Sequence, residues 1–149
     1  MSTTKTINSK LDPLEWENAP KIVLYGTVLR TTANQFEATI TVKNASGTTL
    51  KMFDIEPSSG FESKFIGDIT TIQRSDFPLE ISSEITCSTD FDYSNAPQTS
   101  LGLKRIGGKD IPVCYQSTLF CNDNLNNPYK DMDYNDFVLT WQLYNSSTD

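Results

Sequence analysis

The sequence predicts an all-β protein, a two-sheet antiparallel β-sandwich of about nine strands. Three observations carry that expectation. From Lys21 onward the chain consists of short runs rich in Val, Ile, Thr, Tyr and Phe, set apart by Gly, Asn, Ser and Pro. Residues 35–43 alternate without a break, Phe36, Ala38, Ile40 and Val42 against Glu37, Thr39, Thr41 and Lys43, as a strand with one wet face requires. No stretch sustains the apolar period of an amphipathic helix. At 149 residues one domain is enough to bury about two-thirds of the unfolded surface.

Taken in order, residues 1–20 are polar, carry Pro13 and Pro20, and offer only Leu11, Leu14 and Trp16 as anchors. They read as a flexible amino-terminal arm docking through Trp16, with the domain proper at 21–149. Strands are expected near 22–30 and 35–43. The Asn44-Ala45-Ser46-Gly47 turn then sends the chain back through 49–55. Further strands follow near 61–66, 69–74, 79–87, 100–106 and 111–120, and a last one at 137–143 alternates Phe137, Leu139, Trp141 and Leu143 with Val138, Thr140 and Gln142.

Composition removes several function classes. A net charge of −7 and a pI near 4.5 disfavour nucleic acid or an anionic membrane as partner, because both demand clustered Lys and Arg. No run approaches the length of a membrane span, and the lysines near the amino terminus are followed by no apolar core of a signal peptide. The expectation is a soluble, cytoplasmic product, with any release by non-standard export. Cys114 and Cys121 could pair across a loop in an oxidising compartment, but three cysteines favour free thiols. The chain has no histidine, no glycine-rich phosphate loop and no nucleophile elbow, so an enzyme is not expected.

The stretch with the clearest chemistry is Asp131-Met132-Asp133-Tyr134-Asn135-Asp136, running directly into the terminal strand. Three carboxylates and an amide within six residues repel one another unless a cation lies between them. Calcium, which takes six to eight oxygen ligands in irregular geometry, fits such a loop better than octahedral magnesium. Zinc is disfavoured by the missing histidine and the unpaired cysteine spacing. Asp and Asn also crowd ordinary turns, but the density of carboxylates favours metal. An EF-hand is rejected, since its sixth and twelfth positions would be Asp136 and Gln142 where Gly and Glu are needed. The echo Asp90-Phe91-Asp92-Tyr93-Ser94-Asn95 reads as a turn before Pro97, because Ser94 and Asn95 replace the stronger ligands.

These residues resemble the small bacterial calcium-dependent lectins that bind fucose and mannose. Those proteins carry a near-terminal Asp-Asn-Asp-Tyr-Asn-Asp loop, a final apolar strand containing Trp, and an early Asn-Ser-Ser-Gly turn. Here Asp131–Asp136, Trp141 and Asn44-Ala45-Ser46-Gly47 are similar. The resemblance implies a nine-stranded sandwich holding two calcium ions bridged by Asp133 and Asp136. Asp131 would lie on one ion, and Asn135 and Asn44 on the other. Sugar hydroxyls would coordinate the metals at Asp131, Asp133, Asn135 and Asp136, with Ala45, Ser46 and Gly47 as the specificity turn. Ala45 looks more like the mannose-preferring members.

The sequence also departs from that pattern. Asn127 stands where the family has an acidic ligand, with Asp123 and Asn124 as nearby substitutes. Residues 145–149 extend past the point where family members end with a carboxylate that reaches a neighbouring subunit, so homo-oligomerisation stays open. With Asp123, Asp131, Asp133 and Asp136 against two divalent ions, either weaker binding or a single occupied site is expected. The implied partner is a monosaccharide or glycoconjugate. Both motifs also suit plainer roles. Asn44 would serve in a simple hairpin turn or as a glycosylation acceptor. The acidic loop would serve in a calcium-stabilised adhesion or structural module that binds no sugar.

Overall fold

The computed structural model describes residues 2–16, 19, 21–123 and 136–145. They form seven strands: β1 (Thr3–Leu11), β2 (Ile22–Lys43), β3 (Thr49–Ile72), β4 (Leu79–Cys87), β5 (Phe91–Ile106), β6 (Lys109–Asp123) and β7 (Phe137–Asn145). Every pairing is antiparallel. Among the described residues the only helical element is a 3₁₀ turn at Arg74–Asp76. The all-β expectation holds. The strand count falls below nine because β2 and β3 each run through breaks that the sequence suggested: 22–30 and 35–43 fuse into β2, and 49–55, 61–66 and most of 69–74 into β3.

β2 is the spine. One edge pairs with β3 along its length, while the other meets β7 over Ile22–Arg30 and β4 over Phe36–Lys43. The order is therefore β1-β4-β2-β7-β6-β5, with β3 on the far side of β2. The β2–β3 register slips between Thr32 and Phe36, and a slip of this kind bends a hairpin and raises its twist. Two arms, β4–β1 and β7–β6–β5, leave β2 on either side of that bend. The ends of the order meet again: Asp12 and Gln98 exchange two bonds, Asp12 N–H to Gln98 Oε1 at 2.6 Å and Gln98 Nε2 to Asp12 O at 2.8 Å. The curled sheet thus closes into two layers over one core.

Arg30 holds the bend. It is fully buried and its guanidinium donates to the carbonyls of Phe36, Glu56 (2.7 Å) and Ser58 (2.9 Å), with Glu62 as ion-pair partner at 3.3 Å. These carbonyls belong to the irregular part of the β2–β3 ladder, where cross-strand partners are lost, and a five-donor fork suits them. Burial lowers the Arg30 pKa and Glu62 opposes that shift. The guanidinium also lies 5.2 Å from the Phe137 ring centre, and Phe137 stacks on Phe36 at 4.8 Å. Beneath the layers, Gly26 and Gly67 face each other across β2 and β3. A Cβ on Gly26 would lie 2.3 Å from Trp141, and one on Gly67 would lie 2.4 Å from Phe53. The two glycines make the hollow in which those rings pack, 5.3 Å apart.

The amino terminus differs from the expected arm. Thr3–Leu11 is β1, paired to β4 from Thr3↔Cys87 to Leu11↔Leu79, with Ile7, Leu11 and Trp16 in the core. Trp16 Nε1 donates to Pro112 O at 2.8 Å and its ring meets Tyr115 edge-on. The polar residues Thr4, Thr6, Asn8 and Lys10 alternate with the inward ones on an edge strand, and that period is easily lost in a run with so few large apolar side chains. The Asp90-Phe91-Asp92 echo is not a turn: Phe91 opens β5 and pairs with Asp123. Cys114 and Cys121 sit on the same strand, β6, seven residues apart and therefore about 23 Å. They cannot bridge, and all three cysteines are free and buried.

Candidate functional site

The end of β6, the start of β7 and the bend of β2 converge at one rim of the sandwich. Asp136, the last residue of the acidic hexapeptide, is held there by its backbone: its N–H donates to Cys121 O at 3.1 Å and its carbonyl accepts the N–H of Thr31 at 3.1 Å. Its Oδ2 accepts the backbone N–H of Asp123 at 2.9 Å. Asp123, which is 5% exposed, accepts the Thr32 hydroxyl and the Asn34 amide, the latter at 3.0 Å, on Oδ2. The Asp136 carboxylate thereby caps the backbone of Asp123, whose own carboxylate is held by Thr32 and Asn34.

Burying a carboxylate without a counter-charge is costly. Among the described residues no Lys or Arg forms an ion pair with Asp123; the four ion pairs there are Arg30–Glu62, Lys64–Glu62, Arg74–Asp12 and Arg105–Asp110. Hydrogen bonds from Thr32 and Asn34 stabilise the charge in part. The donor set is oxygen only, and acceptor-only oxygens suit a hard divalent cation. The nearby thiols do not add soft ligands: burial pushes the Cys87 and Cys121 thiols up, with Asp123 adding to the shift at Cys87 and Asp136 at Cys121. Oxygen donors of this kind suit a hard cation such as calcium better than zinc.

Among the described residues alone, no group of three or more His, Cys, Asp or Glu is gathered closely enough to hold a metal. A full coordination shell requires the remaining sequence candidates, Asp131, Asp133 and Asn135, which lie outside the described residues, as does Asn127.

Asn44 lies elsewhere. It follows β2, whose segment Phe36–Lys43 stays paired to β4 without a break, a run of about 23 Å. Its Oδ1 accepts the N–H groups of Ser46 and Thr48, each at 3.0 Å, and its Nδ2 donates to Asp76 at 3.3 Å. Gly47 takes a positive φ of 84°. This is a side-chain-capped turn, and the structure does not bring Asn44, Ala45, Ser46 or Gly47 to Asp123 and Asp136.

The residues it does bring are Thr31, Thr32 and Asn34. In the sequence these are only the gap between two alternating runs. Their signal is a cluster of two hydroxyls and an amide where a strand should continue, and nothing local says that the gap faces the acidic segment more than eighty residues later. Asn122, beside Asp123, is 1% exposed and its Nδ2 has no hydrogen-bond partner among the described residues.

No protein-family model and no curated protein sequence matches the chain. Among solved structures, the chain is similar to a lectin of Chromobacterium violaceum in complex with α-methyl-fucoside, at 17% identity and a TM-score of 0.44, covering 83% of this chain and 88% of that one. It is also similar to a high-affinity mannose-binding lectin of Ralstonia solanacearum, at 16% identity and a TM-score of 0.45, covering 91% and 93%. A third likeness is to infectious bursal disease virus, at 15% identity and a TM-score of 0.36, covering 99% of this chain and 32% of that one. Likeness at this level leaves function to be read from the chain's own residues.

Proposed function

We propose that this chain is a calcium-dependent carbohydrate-binding protein of mannose or fucose type, in which sugar hydroxyls complete the coordination of calcium held by the acidic hexapeptide and Asp123. The observation that carries this reading is the buried Asp123 at the end of β6, whose backbone N–H donates to the half-buried Asp136 carboxylate just before β7. Asp131, Asp133 and Asn135, from the same hexapeptide, would supply the other ligands, for one ion or for two bridged by Asp133 and Asp136.

Bound calcium would supply strong oxygen affinity without acid or base chemistry, and vicinal hydroxyls can replace its waters without loss of coordination number. The protein's part is positional. The Thr31 N–H and the Cys121 carbonyl fix the backbone of Asp136, while Thr32 and Asn34 orient Asp123. In this reading the sugar is held and not cleaved.

A second reading has its own support. Asp136 already ties β6 to β2 through its backbone, so calcium there would also staple the rim of the sandwich in a structural or adhesive module. Isothermal titration with mannose and fucose, in calcium and in chelator, separates the two. Heat on sugar addition that disappears with chelator supports the lectin. A chelator-sensitive melting temperature with no sugar heat supports the staple, and insensitivity to chelator in both assays removes calcium from the account.

A further inference from the structure

The outer face of the β6–β7–β2–β3 layer carries a line of exposed aromatic side chains. Odd-numbered residues of β2 point outward there: Tyr25 and Leu29 are each 38% exposed. Across the ladder from Thr31 and Thr27 lie Phe61 and Phe65, exposed by 89% and 49%. The Tyr25 and Phe65 rings meet at 4.9 Å. Single exposed apolar residues are ordinary, but exposed aromatic rings grouped on one face of a sheet are a candidate binding surface.

Two features indicate the occupant. First, the strip begins at the rim already described, since Phe61 pairs with Thr31, whose N–H bonds the Asp136 carbonyl. Second, the surface beside it on β6 and β7 is neutral. Thr140 and Gln142 sit across from Thr27 and Tyr25, Gln142 donates to Gln116 at 2.8 Å, and Tyr144 donates to Gln142 at 2.7 Å. In a chain that is 21% charged, amides and hydroxyls beside exposed rings match a neutral polyhydroxylated ligand better than an ionic one. The apolar C–H face of a pyranose, weakly positive, lies well on the negative face of an aromatic ring, while the ring hydroxyls reach the amides.

We infer that Phe61, Phe65 and Tyr25 form an extended platform for a neutral oligosaccharide, taking the sugar units that follow the one at the calcium rim. Phe61 and Phe65 are four residues apart on one strand face, a span of about 13 Å, which accommodates more than one pyranose. The inference deepens the proposed function and rests on it for where the terminal sugar sits. The platform's own evidence is separate.

The test measures wild type and the Phe61→Ala/Phe65→Ala double variant, by titration with methyl mannoside, methyl fucoside and a neutral mannose tetrasaccharide, in calcium and in chelator. Both side chains are exposed, so the variant keeps its fold, checked by its melting temperature. The expected result is a tetrasaccharide that binds wild type more tightly than the methyl glycosides, and a loss of about tenfold for the tetrasaccharide alone in the variant. A tetrasaccharide no tighter than a monosaccharide, or a variant that loses both equally or neither, overturns the platform while leaving the calcium site standing. Methyl glycosides that fail to bind, together with a tetrasaccharide whose binding survives chelator and is lost in the variant, support the platform and remove the calcium reading. Sedimentation run in parallel covers the other occupant: a wild-type dimer that the double variant converts to monomer makes the strip a self-contact and overturns the proposal.

Discussion

Replacing Asp123 by Asn is the most informative single change at the rim. The amide keeps an oxygen to accept from Thr32 and Asn34, so the local bonding of the bend survives. What disappears is one negative charge beside Asp136. In chelator, wild type bears the cost of a buried carboxylate with no paired cation among the described residues, and Asp123→Asn relieves it. The variant should therefore unfold at the same temperature as wild type, or higher. In calcium the sign reverses. With the ion at about one hundred times its Kd, mass action stabilises wild type by about 2.7 kcal/mol. At roughly 2–4 °C per kcal/mol for a domain near this size, that is a rise of about 5–11 °C. Loss of a ligating carboxylate lowers affinity and should remove most of that rise. Thermal unfolding followed by far-ultraviolet circular dichroism, for both proteins in calcium and in chelator, reads all four values. An equal calcium-induced rise in wild type and variant would show that Asp123 does not ligate, and no rise in wild type would remove calcium altogether.

Three further outcomes follow from the packing. Gly26→Ala drives a methyl to 2.3 Å from Trp141, and overpacking of that kind should cost about 1–3 kcal/mol, read as a lower urea midpoint at unchanged slope; an unchanged midpoint means the ring does not cover Gly26. Arg30→Met leaves the carbonyls of Phe36, Glu56 and Ser58 without their donor and Glu62 without its partner, a loss of about 3–5 kcal/mol by chemical denaturation; a loss below about 1 kcal/mol would deny Arg30 its place at the bend. Burial raises the pKa of Cys87, Cys114 and Cys121, which lowers the thiolate fraction at any given pH and adds to their inaccessibility. Alkylation at pH 8 should therefore be slow in the native protein and take three equivalents on unfolding. Fast labelling of a native thiol contradicts that packing.

How much of this was legible in the sequence depended on whether the signal was local. The period-two alternation of 35–43 and 137–143 placed half of β2 and nearly all of β7, and 79–87 coincides with β4. What local pattern could not show was that β2 passes through its bend without ending. Arg30 supplies the reason from a distance, by donating to carbonyls on two strands, and a lone arginine among apolar residues does not announce such partners. β1 was missed for the opposite reason: its alternation is genuine, but only Ile7 and Leu11 give it apolar weight. The acidic hexapeptide was visible because its three carboxylates fall within six residues. Thr32 and Asn34 were not, because their relation to Asp123 exists only after β2 and β6 have been folded together. The Asn44 turn was legible as a turn, and its side chain performs that local task.

Arg30 also bears on the proposal that the rim draws a cation from solution. It is the buried cation nearest the site in the chain, one residue from Thr31 and stacked over Phe137, the residue after Asp136. A guanidinium so placed could have neutralised Asp123. It is engaged elsewhere, in an ion pair with Glu62 and in bonds from its two terminal nitrogens to three carbonyls of the bend. The fold thus uses this fixed positive charge to shape the bend, and among the described residues Asp123 has only the neutral donors Thr32 and Asn34. An Asp123→Asn protein that gained stability in chelator and lost its response to calcium would bear this division of labour out. An Asp123→Asn protein less stable than wild type in chelator would mean that the buried carboxylate is already compensated, and that the rim does not need an added ion.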